Sequence, residues 1–280
     1  MSRIKPPRET YNSVGDSTVR RAITAACLSL CLIFLGAWMK SPDKSIGITT
    51  EILGGSNLII QSGSIEIESI DEPAAVTYLK CGIVDPKSTE ILLLHGTAFT
   101  KENWKDSRIM QKFCSIEIHN RPTSVIALDL AVTADGPRLY EVFTALKHLK
   151  LITGNQLIIV TPSASGKSIL SLSSLYYNYR NSTDEKEKDQ AAFLPTLLKA
   201  WIPIASYAVA RETHSLTSFK DCKIPILALY GKEDDAGKGV SQKLAEFAGA
   251  EMIEIQGGHA CYLDSPDDFT RSVIKFADQL

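Results

Sequence analysis

Ser163, Asp234 and His259 are the residues whose types and order could supply a nucleophile, an acid and a base acting together. In such a set the histidine takes the serine proton, while the carboxylate fixes the imidazole tautomer and stabilises the imidazolium, so that the serine oxygen can attack a carbonyl. Ser163 stands in Thr161-Pro162-Ser163-Ala164-Ser165, directly after the apolar run 157–160. A serine displayed on a strand-to-helix turn needs small residues two before and two after it, usually glycines. Thr161 and Ser165 occupy those places here, so the turn alone is a weak match. Centring on Ser165 would put Lys167 at the crowded plus-two position, which favours Ser163 as nucleophile.

Asp234 follows the apolar run 224–230 within Gly231-Lys232-Glu233-Asp234-Asp235. Glu233 and Asp235 compete with it for the role of the acid, and Asp235 could instead be the N-cap of a following helix. His259 comes after Gly257-Gly258, beyond the run 252–255. Upstream, the run 91–94 ends in His95-Gly96-Thr97, a turn suited to a second oxyanion donor. The amides of Thr97 and Ala164 would then face the developing oxyanion. His95 reads as a structural part of its turn, and His119, His148 and His214 show no partner pattern.

A rival chemistry occupies the same stretch. Residues 161–168 match the phosphate loop GxxxxGK[ST] except at its first glycine, with Lys167 and Ser168 at the phosphate and magnesium positions. The run 125–129, ending in Asp129, could pose as the magnesium-binding strand, although in most such proteins that strand follows the loop. A nucleotide-binding reading leaves the His-Gly turn, the acid after 224–230 and the Gly-Gly-His loop unexplained. Serine, acid and histidine in this order, each past an apolar run, are better explained together.

These residues must be positioned by a sheet. Residues 58–61, 65–70 and 75–79 alternate as an antiparallel hairpin would. From residue 90 onward, strands apolar at nearly every position (91–94, 125–128, 157–160, 201–204, 224–230, 252–255) alternate with helical segments near 101–115, 138–149, 167–177, 238–247 and 266–279. Strands of that kind are covered on both faces, which predicts a mostly parallel, doubly wound sheet of the α/β class. The stretch 178–189, NYRNSTDEKEKD, reads as a charged, solvated loop and contains the N-glycosylation acceptor Asn181.

With 280 residues, 44% of them hydrophobic, the chain can bury one large core, and its net charge of −2 gives no basic excess for nucleic acid. The six cysteines form no CxxC pair and no zinc-spaced cluster, so neither metal nor cofactor is indicated. They read as free thiols of a large core, with one disulfide left open. Residues 22–39 are uncharged and long enough for a transmembrane helix, flanked on the amino side by an excess of Arg and Lys. The expected organisation is a cytosolic tail (1–21), a type II signal anchor (22–39), a stem (40–58) and a catalytic domain (59–280) that is luminal or extracellular.

The pieces ILLLHGTAFTKENW (91–104), VIALDL (125–130), TPSASG (161–166), PILALYGKEDD (225–235) and GGHACYLDSPDDF (257–269) resemble the abhydrolase domain-containing protein 14 family of α/β-hydrolases. The stretch HACYLDSP is the most family-specific of them. The resemblance implies an α/β-hydrolase fold, an elbow with serines in place of glycines and Ser163 as nucleophile. The amino-terminal apolar segment makes the chain similar to the membrane-bound A branch. Residues 131–137 and 178–189 depart from the family pattern, and Thr161 replaces the first elbow serine. The implied activity is hydrolysis or transfer of a small acyl group through an acyl-enzyme, without cofactor; a non-catalytic binding protein of the same fold and a phosphate-loop protein are the alternatives.

Overall fold

The computed structural model describes residues 49–52, 58–67 and 74–280. The membrane-anchor expectation for residues 22–39 lies outside them. Among the described residues no helix is long and apolar enough to cross a membrane.

The expected hairpin is present as β2 (Ile59–Ile67) and β3 (Ala74–Cys81), paired antiparallel from Ile60↔Cys81 to Ile67↔Ala74. A further strand, β1 (Thr49–Ile52), pairs antiparallel with β2, so the sheet reaches into the stretch expected to be stem. The strands that follow are β4 (Thr89–Leu93), β5 (Glu117–Ile118), β6 (Arg121–Asp129), β7 (Leu157–Pro162), β8 (Leu198–Ile204), β9 (Leu227–Gly231) and β10 (Glu251–Ile255). Across the sheet the order is β1-β2-β3-β6-β4-β7-β8-β9-β10, with β5 paired to β6 off this path. All pairings from β6 to β10 are parallel. Successive side chains of a strand point to opposite faces. Thus Leu92, Ile126, Ile159 and Trp201 join one core layer, and Leu93, Val125, Val160 and Ile202 join the other.

Helices cover both faces. They are α1 (Glu102–Asp106), α2 (Ile109–Cys114), α3 (Gly136–His148), α4 (Gly166–Tyr179), α5 (Glu185–Leu197), α6 (Thr217–Asp221), α7 (Asp235–Lys243), α8 (Cys261–Asp264) and α9 (Pro266–Ala277). The helix expected over 101–115 is broken at Arg108, which takes a left-handed conformation (φ 62°). The charged stretch 178–189 is corrected from loop to helix over most of its length. Only residues 180–184 connect α4 to α5. Asp184 caps α5 by accepting from the Glu187 amide, and Glu185 pairs with Lys188 one turn on. The cap satisfies an otherwise orphaned amide, and the surface pair adds a few tenths of a kcal/mol, about 0.3. Asn181 is exposed in the connection.

Cys81, at the end of β3, and Cys114, at the end of α2, form a disulfide with Cα atoms 6.1 Å apart. This corrects the free-thiol expectation for that pair; Cys222 and Cys261 are free. Sequence spacing gave no sign of it, because α2 is brought back onto β3 only by the packing of Met110 and Phe113 into the core. Closing a loop across 33 residues stabilises the fold by about 3–4 kcal/mol in the chain-entropy account.

Candidate active site

Ser163 follows directly on β7 and opens a 3-10 turn, Ser163–Ser165, that runs into α4. Its backbone is left-handed (φ 53°), a conformation that costs about 1–3 kcal/mol for a non-glycine residue. The turn is held open by its neighbours. Ser206 donates its hydroxyl to the Ser163 carbonyl (2.9 Å), and a Cβ on Gly166 would lie 1.9 Å from that same Ser206 Oγ. Thr161, where a glycine is usual, is accommodated because its hydroxyl accepts from the Trp201 indole at 2.8 Å inside the core.

The three sequence-predicted side chains meet. His259 Nε2 lies 2.9 Å from Ser163 Oγ, and His259 Nδ1 lies 2.7 Å from Asp234 Oδ2. Ser165 and Ser168 are turned away: their buried hydroxyls donate to the carbonyls of Pro162 (2.9 Å) and Ser165 (3.0 Å). Lys167 points its amine at the Thr133 carbonyl (3.4 Å). Asp129, the would-be magnesium ligand, accepts from the Lys101 amide (2.7 Å), the Lys101 amine (2.6 Å) and the Thr77 hydroxyl (2.9 Å). Burial pushes its carboxyl pKa up, but these donors outweigh burial and hold it below the usual range. Among the described residues no cluster of His, Cys, Asp and Glu is arranged to hold a metal ion.

Asp234 is buried and does two jobs. Besides facing His259 it caps α7, accepting from the Gly237 amide at 2.8 Å. That excludes Asp235 as the cap; Asp235 is the first helical residue and Glu233 is exposed. Burial pushes the Asp234 carboxyl up, yet the hydrogen bonds from His259, Gly237 and Tyr207 hold it below the ordinary carboxylate range.

Tyr207 is a site residue that no sequence pattern marked. It lies in the 3-10 turn Tyr207–Arg211 after β8, within a stretch without helical or strand periodicity. Its hydroxyl donates to Asp234 Oδ1 (2.9 Å), and its ring stacks on the His259 imidazole with centroids 4.7 Å apart. Burial and the adjacent carboxylate push its pKa up to about 12, so it is a donor across the physiological range. Cys261, two residues beyond His259, is buried, and burial pushes its thiol up to about 12; it is no competing nucleophile.

Thr97 and Ala164 both border Ser163 in a groove of about 810 Å³. The loop carrying Thr97 is fixed at both ends. The Leu94 carbonyl accepts from the Trp104 indole (3.0 Å), the Phe99 amide donates to the Gly96 carbonyl (3.0 Å), and Asp129 clamps Lys101. His95 sits within this turn, its Nδ1 2.9 Å from the Gly96 carbonyl. A second cavity of about 140 Å³, lined by Ala98, Phe99, Ala260 and Tyr262, also borders Ser163 and His259.

No family model matches the chain. Mouse ABHD14A is 25% identical to it over 200 residues, which cover 68% of this chain and 71% of that protein. Rat ABHD14B, named as a candidate protein-lysine deacylase, is 22% identical over 198 residues, covering 68% of this chain and 83% of its own length. Among solved structures, the esterase RhEst1 from Rhodococcus sp. ECU1013 superposes with a TM-score of 0.51 at 13% identity, over 78% of this chain and 99% of that one. That likeness carries the α/β-hydrolase fold.

Proposed function

From an α/β-hydrolase chain that resembles the ABHD14 proteins, we propose a serine hydrolase that cleaves acyl esters, or transfers their acyl group, through an acyl-enzyme. The carrying observation is that one imidazole, that of His259, bridges the Ser163 hydroxyl and the Asp234 carboxylate at 2.9 and 2.7 Å. His259 removes the Ser163 proton as Oγ attacks the carbonyl, then returns it to the leaving oxygen; Asp234 holds Nδ1–H and stabilises the imidazolium. The backbone amides of Thr97 and Ala164 are the oxyanion donors in this reading. Water, or another nucleophile, resolves the acyl-enzyme by the reverse proton path. Covalent labelling by a fluorophosphonate, with the modified residue mapped, tests the reading. Absence of labelling in the folded chain would favour a binding protein of the same fold. N-acyl lysine peptides, the substrate class in the name of rat ABHD14B, belong in the same assay as an amide arm.

Tyr207 is assigned a positioning role. Replacing it by Phe keeps the stack on His259 and removes one donor to Asp234. The depressed pKa of Asp234 contributes stability above about pH 4, the unfolded carboxylate value, and that contribution is lost as pH falls through the lower folded value. Tyr207→Phe therefore lowers Tm by about 2–4 °C at pH 7, for a loss of about 1 kcal/mol. The gap from wild type closes on acidification. A pH-independent gap in a thermal melt series would contradict the role.

Location is part of the same proposal: residues 22–39 anchor the chain as a single-pass type II protein, with the hydrolase unit on the luminal or extracellular side. The Cys81–Cys114 disulfide suits an oxidising compartment, and exposed Asn181 is available for glycosylation there. In microsomes a carboxy-terminal tag should resist protease until detergent is added, and Asn181→Gln should remove an endoglycosidase-sensitive shift. A tag digested without detergent reverses the topology.

A further inference from the structure

Lys167, the residue that makes the elbow look like a phosphate loop, lines the groove beside Ser163, and nothing in the acyl-enzyme mechanism uses it. The groove has a direction. Its floor is one face of the elbow and α4: Ser163 and Ala164, then Lys167, then Leu170 and Ser171, then Ser174. Lys167 stands about one turn on from Ser163, and Ser174 about two turns further along the helix. The wall is the turn that starts at Tyr207, against His259, and continues through Arg211 to Glu212. Glu212 belongs to the far end, where its carboxylate accepts from the Ser174 hydroxyl at 3.3 Å. Among the described residues the groove lining carries two cations, Lys167 and Arg211, and one carboxylate, which follows Arg211 in the chain and is engaged away from the nucleophile. Within a turn of Ser163 the charge of the groove lining is that of Lys167, whose amine has a 3.4 Å contact to a neutral carbonyl.

We propose that Lys167 reads a carboxylate or similar anionic group on the acyl substrate. The inference rests on the serine-hydrolase reading and adds a substrate class to it. An anion held at this amine belongs either to the end of a short acyl chain, as a terminal carboxylate, or to the leaving alcohol. Both place the same chemistry against the same amine, so the test separates them.

The full chain is assayed with two matched ester pairs: mono(4-nitrophenyl) glutarate against its methyl ester, and 4-carboxyphenyl butyrate against its methyl ester. The readout is the anionic-to-neutral ratio of kcat/KM or, where turnover is slow, of the ester concentrations that halve fluorophosphonate labelling. A ratio does not depend on the fraction of folded protein. In one pair, wild type should favour the anion by roughly fivefold at low salt, the preference shrinking by 0.5 M salt as expected for an exposed ion pair. Lys167→Met should erase the preference and Lys167→Glu should invert it; the responding pair tells which side of the ester carries the anion. Equal ratios in wild type and both variants for both pairs, with Ser163 labelled normally, overturn the subsite and leave the hydrolase reading standing. No labelling and no turnover of any ester take both down.

Discussion

Ser163→Ala should abolish fluorophosphonate labelling and lower kcat/KM for acyl esters by at least about 10⁴-fold, because in the proposed mechanism its loss leaves only binding and oxyanion stabilisation. The control is Ser165→Ala, two residues on in the same turn. Ser165 is buried with its hydroxyl committed to the Pro162 carbonyl, so its loss costs stability of about 1 kcal/mol and leaves labelling intact. The pair tests the preference for Ser163 over Ser165 that the position of Lys167 in TPSASGKS already gives. What separates the two is direction. The left-handed backbone at Ser163 swings its hydroxyl up to the imidazole, whereas the ordinary helical backbone at Ser165 sends its hydroxyl back to the strand end. Retained labelling in Ser163→Ala would remove the nucleophile assignment.

Gly231→Ala should also damage activity, without touching a reacting atom. Gly231 closes β9, three residues before Asp234, and the histidine loop crosses it. A Cβ there would lie 1.9 Å from the Gly258 carbonyl oxygen and 2.5 Å from that of Gly257. Both obstacles are backbone, so the contact cannot be relieved by a rotamer change. The loop must move, and His259 is the next residue. A displacement of about 1 Å at the base costs about 10²-fold in rate, with a stability loss of about 1–3 kcal/mol from overpacking. Gly239→Ala in α7 is the matched control: nothing lies within 4 Å of the added carbon, so the helix gains up to about 1 kcal/mol and activity is retained. Wild-type kcat/KM in Gly231→Ala would show that the loop packs otherwise.

Much of the site was legible in the chain because strand ends are legible. Apolar runs such as 157–160 and 224–230 mark strands covered on both faces, and a residue just past such a run lies at one edge of a parallel sheet. Ser163, Asp234 and His259 were placed that way, and they meet. The acid was separable from its neighbours only in part. By position Asp235 could equally be the cap, but the structure has Asp234 both capping α7 and facing His259, because its two oxygens serve different donors. The stretch 178–189 is largely exposed, as its charges suggest, yet it is not a loop throughout. Asp184 and the alternating acid and base instead start a helix whose far end, at Leu194 and Leu197, is buried.

By itself the amino-acid sequence determined the class of fold, the order of the functional residues and the edge of the sheet at which they stand, since these follow from local hydrophobic pattern and chain order. Tertiary structure alone decided that Tyr207 contacts both Asp234 and His259, that Cys81 meets Cys114, and that Lys167 lines the groove beside Ser163. Those outcomes depend on side-chain direction and on contacts between residues far apart in the chain, and neither has a period that a linear sequence can display.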